Sequence, residues 1–210
     1  MASQCTFGSP KAKIMKSNTQ KITRIVIVLS IITCAFFQVQ AQTTFKQSDY
    51  SYITVAGTST LHEWTMTSLG ATIQAGFELD ASGVPSQLKS LSVSVPSESL
   101  KSAHKAMNKN AYSALKTDKN KAISFTLAST MVQKNIFSCV GKLSIAGVTK
   151  SISIDATCDA KPSKTLNCTG KKAIKMSDFQ VEAPSFMFGT VKTGDEITIS
   201  FNIELSPIKN

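Results

Sequence analysis

Only two histidines, one tryptophan and one arginine occur in this 210-residue chain, and each scarcity closes off a class of chemistry. A hydrolytic triad needs a histidine beside its nucleophile, and the Gly-x-Ser-x-Gly elbow that often presents one is absent. A zinc centre needs three or four ligands. His62 and His104 offer no His-x-x-x-His spacing, and no cysteines are closely paired. No catalytic residue, metal site or cofactor is therefore expected. Nucleic-acid recognition leans on the planar guanidinium fork, so a chain whose one arginine is Arg24 is not expected to bind nucleic acid. Long apolar runs are missing too. The longest, Ile25 to Phe37, has 13 residues and is too short for a good membrane anchor. An apolar fraction of 42% is ordinary for a soluble domain and excludes disorder.

The 13-residue run follows Lys11, Lys13, Lys16, Lys21 and Arg24 and leads to Val39-Gln40-Ala41, with no acid along the way. A basic start, a short apolar core and a small-residue cleavage site read as a signal peptide over residues 1–41, with Met15 as an alternative start. Left uncleaved, the segment would serve as a single anchor. Residues 42–210 then form one exported domain, periplasmic or secreted after cleavage near Ala41. It carries 18 lysines against 13 acids, a net charge of +5.

Within that domain, segments of strand length alternate between apolar residues and Ser, Thr or Lys. Ile73, Ala75, Phe77 and Leu79 form one stripe, and Leu91, Val93 and Val95 the next. Further stripes hold Ile123, Phe125, Leu127 and Met131; Phe137, Cys139, Leu143 and Ile145; Ile152, Ile154, Ala156 and Cys158; and Ile197, Ile199, Phe201, Ile203 and Leu205. Such period-two patterning describes half-buried antiparallel strands. The apolar parity switches between Trp64-Met66 and Ile73-Ala75, which calls for a bulge or bend near Leu69-Gly70. Gly83, Gly147 and Gly194 are read as turn positions. About eight strands with mainly short turns suit an all-β, up-and-down antiparallel barrel, with a two-sheet sandwich as the alternative.

One interval reads differently. Leu100, Ala103, Met107, Ala111, Ala114 and Leu115 recur at helical spacing, with Lys101, Lys105, Lys109 and Lys116 on the opposite arc. A helix over about 97–118 is predicted, opened by Ser97 as cap and Glu98 against the dipole. The lysine face across 97–121 is either a solvated surface or a peripheral contact with an anionic membrane.

Several stretches resemble the YceI-like family: Gly57-Thr58-Ser59-Thr60-Leu61-His62-Glu63-Trp64, Pro96 through Ser102 and on to Phe125, Gly141 through Lys150, Met176-Ser177-Asp178-Phe179, and Phe186 through Glu196. The similarity spans Tyr50 to Leu205 in consistent order. It implies a lipocalin-like eight-stranded barrel with a helical segment packed on it, exported, and binding a polyisoprenoid or similar amphiphile inside. The three cysteines of the domain are not part of the family pattern.

The expected ligand is a hydrophobic small molecule, an isoprenoid lipid or quinone-like amphiphile that the protein sequesters or transports. A barrel enzyme acting on a hydrophobic substrate and a structural secreted domain with a filled core are the alternatives. His62 and Trp64 are candidate orienting groups. Phe77, Leu91, Val93, Phe125, Leu127, Phe137, Leu143, Ile152, Ile154 and Phe201 are candidate lining residues from the stripes, and Phe179 joins them from the family-like motif. Phe186 and Phe188, in a run without alternation, are read as part of a mouth loop or bend. A hairpin turning at Ser163 sets Cys158 and Cys168 opposite one another, within reach of a disulfide, while Cys139 faces Ile154 across its own hairpin. The alternative is three reduced, buried cysteines.

Overall fold

The computed structural model describes Gly8 and residues 42–82, 84–186 and 190–208. The rest of the expected leader, Gly83 and the tip Met187–Gly189, which holds Phe188, lie outside the described residues. Eleven strands and one α-helix are present among the described residues. The strands are β1 (Gln42–Gln47), β2 (Tyr52–Ser59), β3 (Glu63–Ser68), β4 (Thr72–Leu79), β5 (Pro85–Pro96), β6 (Ala122–Gln133), β7 (Ile136–Ile145), β8 (Val148–Ala160), β9 (Leu166–Lys175), β10 (Ser185–Phe186) and β11 (Val191–Pro207). The helix is α1 (Lys105–Leu115).

Eight strands close a ring. From β4 through β9 each strand pairs with the next, β9 pairs β11, and β1 completes the circle between β11 and β4, all antiparallel. Closure gives every strand of the ring two paired neighbours, although β8 and β9 pair over only part of their lengths. The remaining pieces extend it. Both β1 and β2 run against β11, and β3 pairs β2 as β4 pairs β1, so residues 42–79 form one long interrupted hairpin. Its break lies at Leu69–Ala71, where the parity switch required one. Ser68 is fully buried, Leu69 is 75% exposed, and Ile73, Ala75 and Phe77 then turn inward. Gln47 stitches the break: its amide donates to the Ala71 carbonyl and its side-chain oxygen accepts the Ile73 N–H.

The end of the barrel away from α1 is solid. Phe77 stacks edge-on with Phe45 at 5.2 Å and with Phe137 at 5.9 Å, and Leu88, Leu166 and Leu205 close around them. Each such aromatic pair adds about 0.5–1.5 kcal/mol to the burial itself.

Three expectations need correction. The helical segment is real, but its α-helical part begins at Lys105. Residues Ser97–Ser99 make a separate 3-10 turn, and the Ser97 hydroxyl donates to the Asn120 carbonyl instead of capping a helix. The residues between are held by a bridge from Lys101 to Thr67, which leaves Ala103 exposed. Met131, assigned to an inward stripe, is 77% exposed. A bulge in β6 between Leu127 and Ser129 inserts one residue and flips the parity, so Val132 packs on the core instead. Gly194 lies within β11, at the irregularity between Thr193 and Ile197, and not at a turn.

Candidate functional site

Above the aromatic end the inward stripes do not meet, and the barrel holds a cavity of about 650 Å³. Its size follows from the strand count: an eight-stranded barrel has an interior just wide enough to be filled by side chains or to hold one small ligand. Side chains on β8 and β11 are medium-sized: Ile152, Ile154 and Ala156, then Ile197, Ile199 and Phe201. These are only half-buried although they point inward, because one side of each borders open space.

The exposed lining residues, Leu61, His62, His104 and Ala106, sit at the end of the barrel that carries α1, and they mark the mouth. Helix α1 contributes Met107, Asn110, Ala111, Ala114 and Leu115, so its apolar stripe covers the cavity instead of packing into a filled core. The Tyr112 hydroxyl reaches the carbonyls of Glu98 and Leu100 at 2.8 and 2.9 Å and ties the helix to the preceding turn. Burial and then the nearby Glu98 carboxylate raise the Tyr112 pKa.

Three aromatic rings in the site lie over glycines of a neighbouring strand. Trp64 covers Gly57, Phe125 covers Gly141 and Phe201 covers Gly170, at separations where any Cβ would collide. The glycine lets the ring lie flat against the wall, and the wall stays thin. Trp64 is fixed further by its indole N–H, which donates to the Thr58 carbonyl at 3.0 Å. The His62 ring is at the mouth, with Nδ1 2.7 Å from the Glu63 carbonyl oxygen, and presents its other edge outward.

The wall parts at one place. Strands β8 and β9 pair only from Ala156–Gly170 down to Ala160–Leu166. Beyond that they separate, and the 3-10 turn Ser177–Phe179 touches both, with Phe179 1% exposed. Asp195 holds this turn by accepting the Ser177 N–H at 2.8 Å and its hydroxyl at 2.6 Å. Those two bonds, hydroxyl first, lower the Asp195 pKa.

Of the candidate residues, His62, Trp64, Phe77, Leu91, Val93, Phe125, Phe137, Leu143, Ile152, Ile154, Phe179 and Phe201 line the cavity together. Leu127 does not; at the β6 bulge it packs against the core from outside the lining. Phe186 lies in β10, whose backbone pairs with Val191, while Phe188 is outside the described residues. Cys158 and Cys168 are paired in register, joined as a disulfide, and face the cavity. Cys139 faces it too, opposite Ile154, as a free and buried thiol. Burial raises its pKa, the Thr130 hydroxyl partly offsets this, and the Asp155 carboxylate adds to it.

Sequence reasoning placed Cys168 in the second arm of a hairpin but did not follow that arm along β9 into the lining. Its inward positions are Cys168, Gly170, Lys172 and Ile174, and the glycine and lysine break the apolar stripe that would have revealed them. Lys172 is the only lysine, arginine, aspartate or glutamate among the described residues that line the cavity.

Comparison with known proteins adds the family. A profile described as YceI-like domain matches residues 41–205. Among solved structures, Burkholderia cenocepacia BcnA is similar at a TM-score of 0.62 and 17% identity, covering 74% of this chain and 96% of that one. The Campylobacter jejuni YCEI protein gives 0.53 and 20%, covering 66% and 82%. A polyisoprenoid binding domain from Saccharophagus degradans, implicated in plant cell wall breakdown, gives 0.59 and 10%, covering 80% and all of that chain. At these identities the structural likeness speaks to fold alone. No curated protein matches.

Proposed function

The chain belongs to the YceI-like family, and on that premise we propose that it is an exported, non-catalytic protein that sequesters or carries an isoprenoid lipid or quinone-like amphiphile. The observation that carries this reading is the cavity itself: about 650 Å³, open at one end and lined almost wholly by apolar side chains. At roughly 0.8 kcal/mol per buried CH₂, enclosing half of a long isoprenoid tail offers about 15 kcal/mol before the costs of association. The tail alone suffices for affinity, and the few polar groups at the mouth have only to set orientation. The leader pattern of residues 1–41 supports export, and a disulfide suits an oxidising compartment. Lys101, Lys105 and Lys109 are exposed beside the mouth, where they would meet an anionic bilayer during loading.

Mass spectrometry of a gentle extract tests the proposal, using protein purified from its own compartment. A stoichiometric isoprenoid or quinone-like lipid is expected. Protein that is empty, and that takes up no such lipid from vesicles, would refute it.

A further inference from the structure

Lys172 stands where a carrier of purely neutral lipid has no use for it. Inward-facing residues of β9 alternate with Lys171, Ala173 and Lys175 on the outer face, so the register commits Lys172 to the interior. It sits opposite Ile199, which in turn pairs with Val55, and both of these line the cavity. Its nearest inward neighbours along the strand are Gly170 and Ile174. Among the described residues its ammonium has neither an ion pair nor a hydrogen bond. Among the described residues no carboxylate lines the cavity.

An ammonium on a half-buried side chain beside apolar walls gives up part of its hydration with no partner among the described residues to offset the loss. An apolar residue there would continue the stripe and close the lining. The described residues therefore supply this cation no counter-ion. On β9 it stands midway between Cys168 of the disulfide and Met176, just beyond the last pair of β8 and β9, with its side chain in the cavity lining.

We propose that the bound amphiphile carries an acidic group, carboxylate or phosphate, which Lys172 receives inside the barrel while the tail occupies the apolar cavity. This rests on the lipid-binding reading and adds a headgroup to it. An ion pair with a partly dehydrated partner then discriminates acid from neutral analogue, since charged hydrogen bonds exceed neutral ones in strength.

Displacement of a fluorescent apolar dye from the exported protein tests this. The probes are a long-chain carboxylic acid, an alkyl phosphate and the methyl ester of the same acid, all below their micelle thresholds at neutral pH. One or both acids should displace the dye roughly ten-fold more tightly than the ester. Lys172→Met, which removes an unpaired charge and should fold, is expected to abolish the difference between the acids and the ester. Lys172→Glu should place the acids below it. Equal displacement by acids and ester in the unaltered protein would overturn the proposal and leave lipid binding standing, as would a Met variant that weakens all probes alike. If neither dye nor any probe enters, both readings fall together.

Discussion

Gly170→Ala is a demanding test of the barrel wall, because the clash is with two different kinds of atom. A Cβ at Gly170 would lie 2.4 Å from Phe201 Cζ and 2.5 Å from the Asp155 carbonyl oxygen, against an ordinary contact of 3.4 Å or more. The ring can yield, since it borders the cavity. The carbonyl cannot, since it belongs to the β8 backbone next to the last paired stretch of β8 and β9. Relief requires those strands to part, and overpacking of this sort costs about 1–3 kcal/mol. For a domain of this size 2 kcal/mol lowers Tm by about 4–8 °C. Gly57→Ala is the control, because the three atoms nearest its Cβ would all belong to the Trp64 ring, the closest at 2.4 Å. Thermal unfolding of the oxidised protein should show a large loss for Gly170→Ala that Phe201→Ala does not repair. The smaller loss for Gly57→Ala should be relieved by Trp64→Ala. A Gly170→Ala protein that melts with the parent, or is rescued by Phe201→Ala, would refute the argument.

Reducing Cys158–Cys168 opens a loop with a sequence separation of 10. It should cost about 2–3 kcal/mol in denaturant unfolding, an effect absent from a Cys158→Ala, Cys168→Ala protein. Because burial raises the Cys139 pKa, the unfolded chain sheds that proton first as pH rises. Stability from this group is full below the unfolded thiol pKa and erodes above it, so denaturant midpoints should fall in alkaline buffer less steeply for Cys139→Ala than for the parent. Ile199→Trp should fill part of the cavity and lower bound lipid per folded molecule, with most of the melting temperature retained; lost folding with unchanged lipid stoichiometry would indicate a filled core instead. Reversing Lys101, Lys105 and Lys109 to glutamate should slow lipid exchange with anionic vesicles, chiefly at low salt, and equal rates at every salt concentration would leave the lysines as solvated surface.

Much of the barrel was legible because its hairpins are tight. With a two-residue turn at Ala146-Gly147, Cys139 had to oppose Ile154, and a centre at Ser163 had to bring Cys158 to Cys168; the registers observed are these. What escaped depended on distant partners. Residues 97–104 have helical spacing, yet Thr67 and Asn120, far away in sequence, supply the hydrogen bonds that hold them otherwise. The β6 bulge falls at Ala128-Ser129, where small and polar residues give no periodicity to read. Lys172 drew no reading from the sequence, because a stripe interrupted by a glycine and a lysine does not read as one that turns inward. Nor could alternation distinguish a packed interior from a hollow one, since that depends on α1 covering the mouth without filling it.

Ring closure has a consequence for when the protein can fold. The seam is made by β1, the first strand, against β11, the last, with Phe45 beside Pro207. No emerging portion of the chain can complete the barrel, because its first strand waits for its final one. Hairpins such as β7–β8 and β8–β9 can form as soon as they appear, whereas the closing contact bears the whole loop entropy of the chain between. The domain therefore stays open, and its interior reachable, until its last residues arrive. The same delay exposes β1 and β11 as unpaired edges for the longest time. Substitutions that weaken this seam should show first as aggregation during production and only later as altered binding.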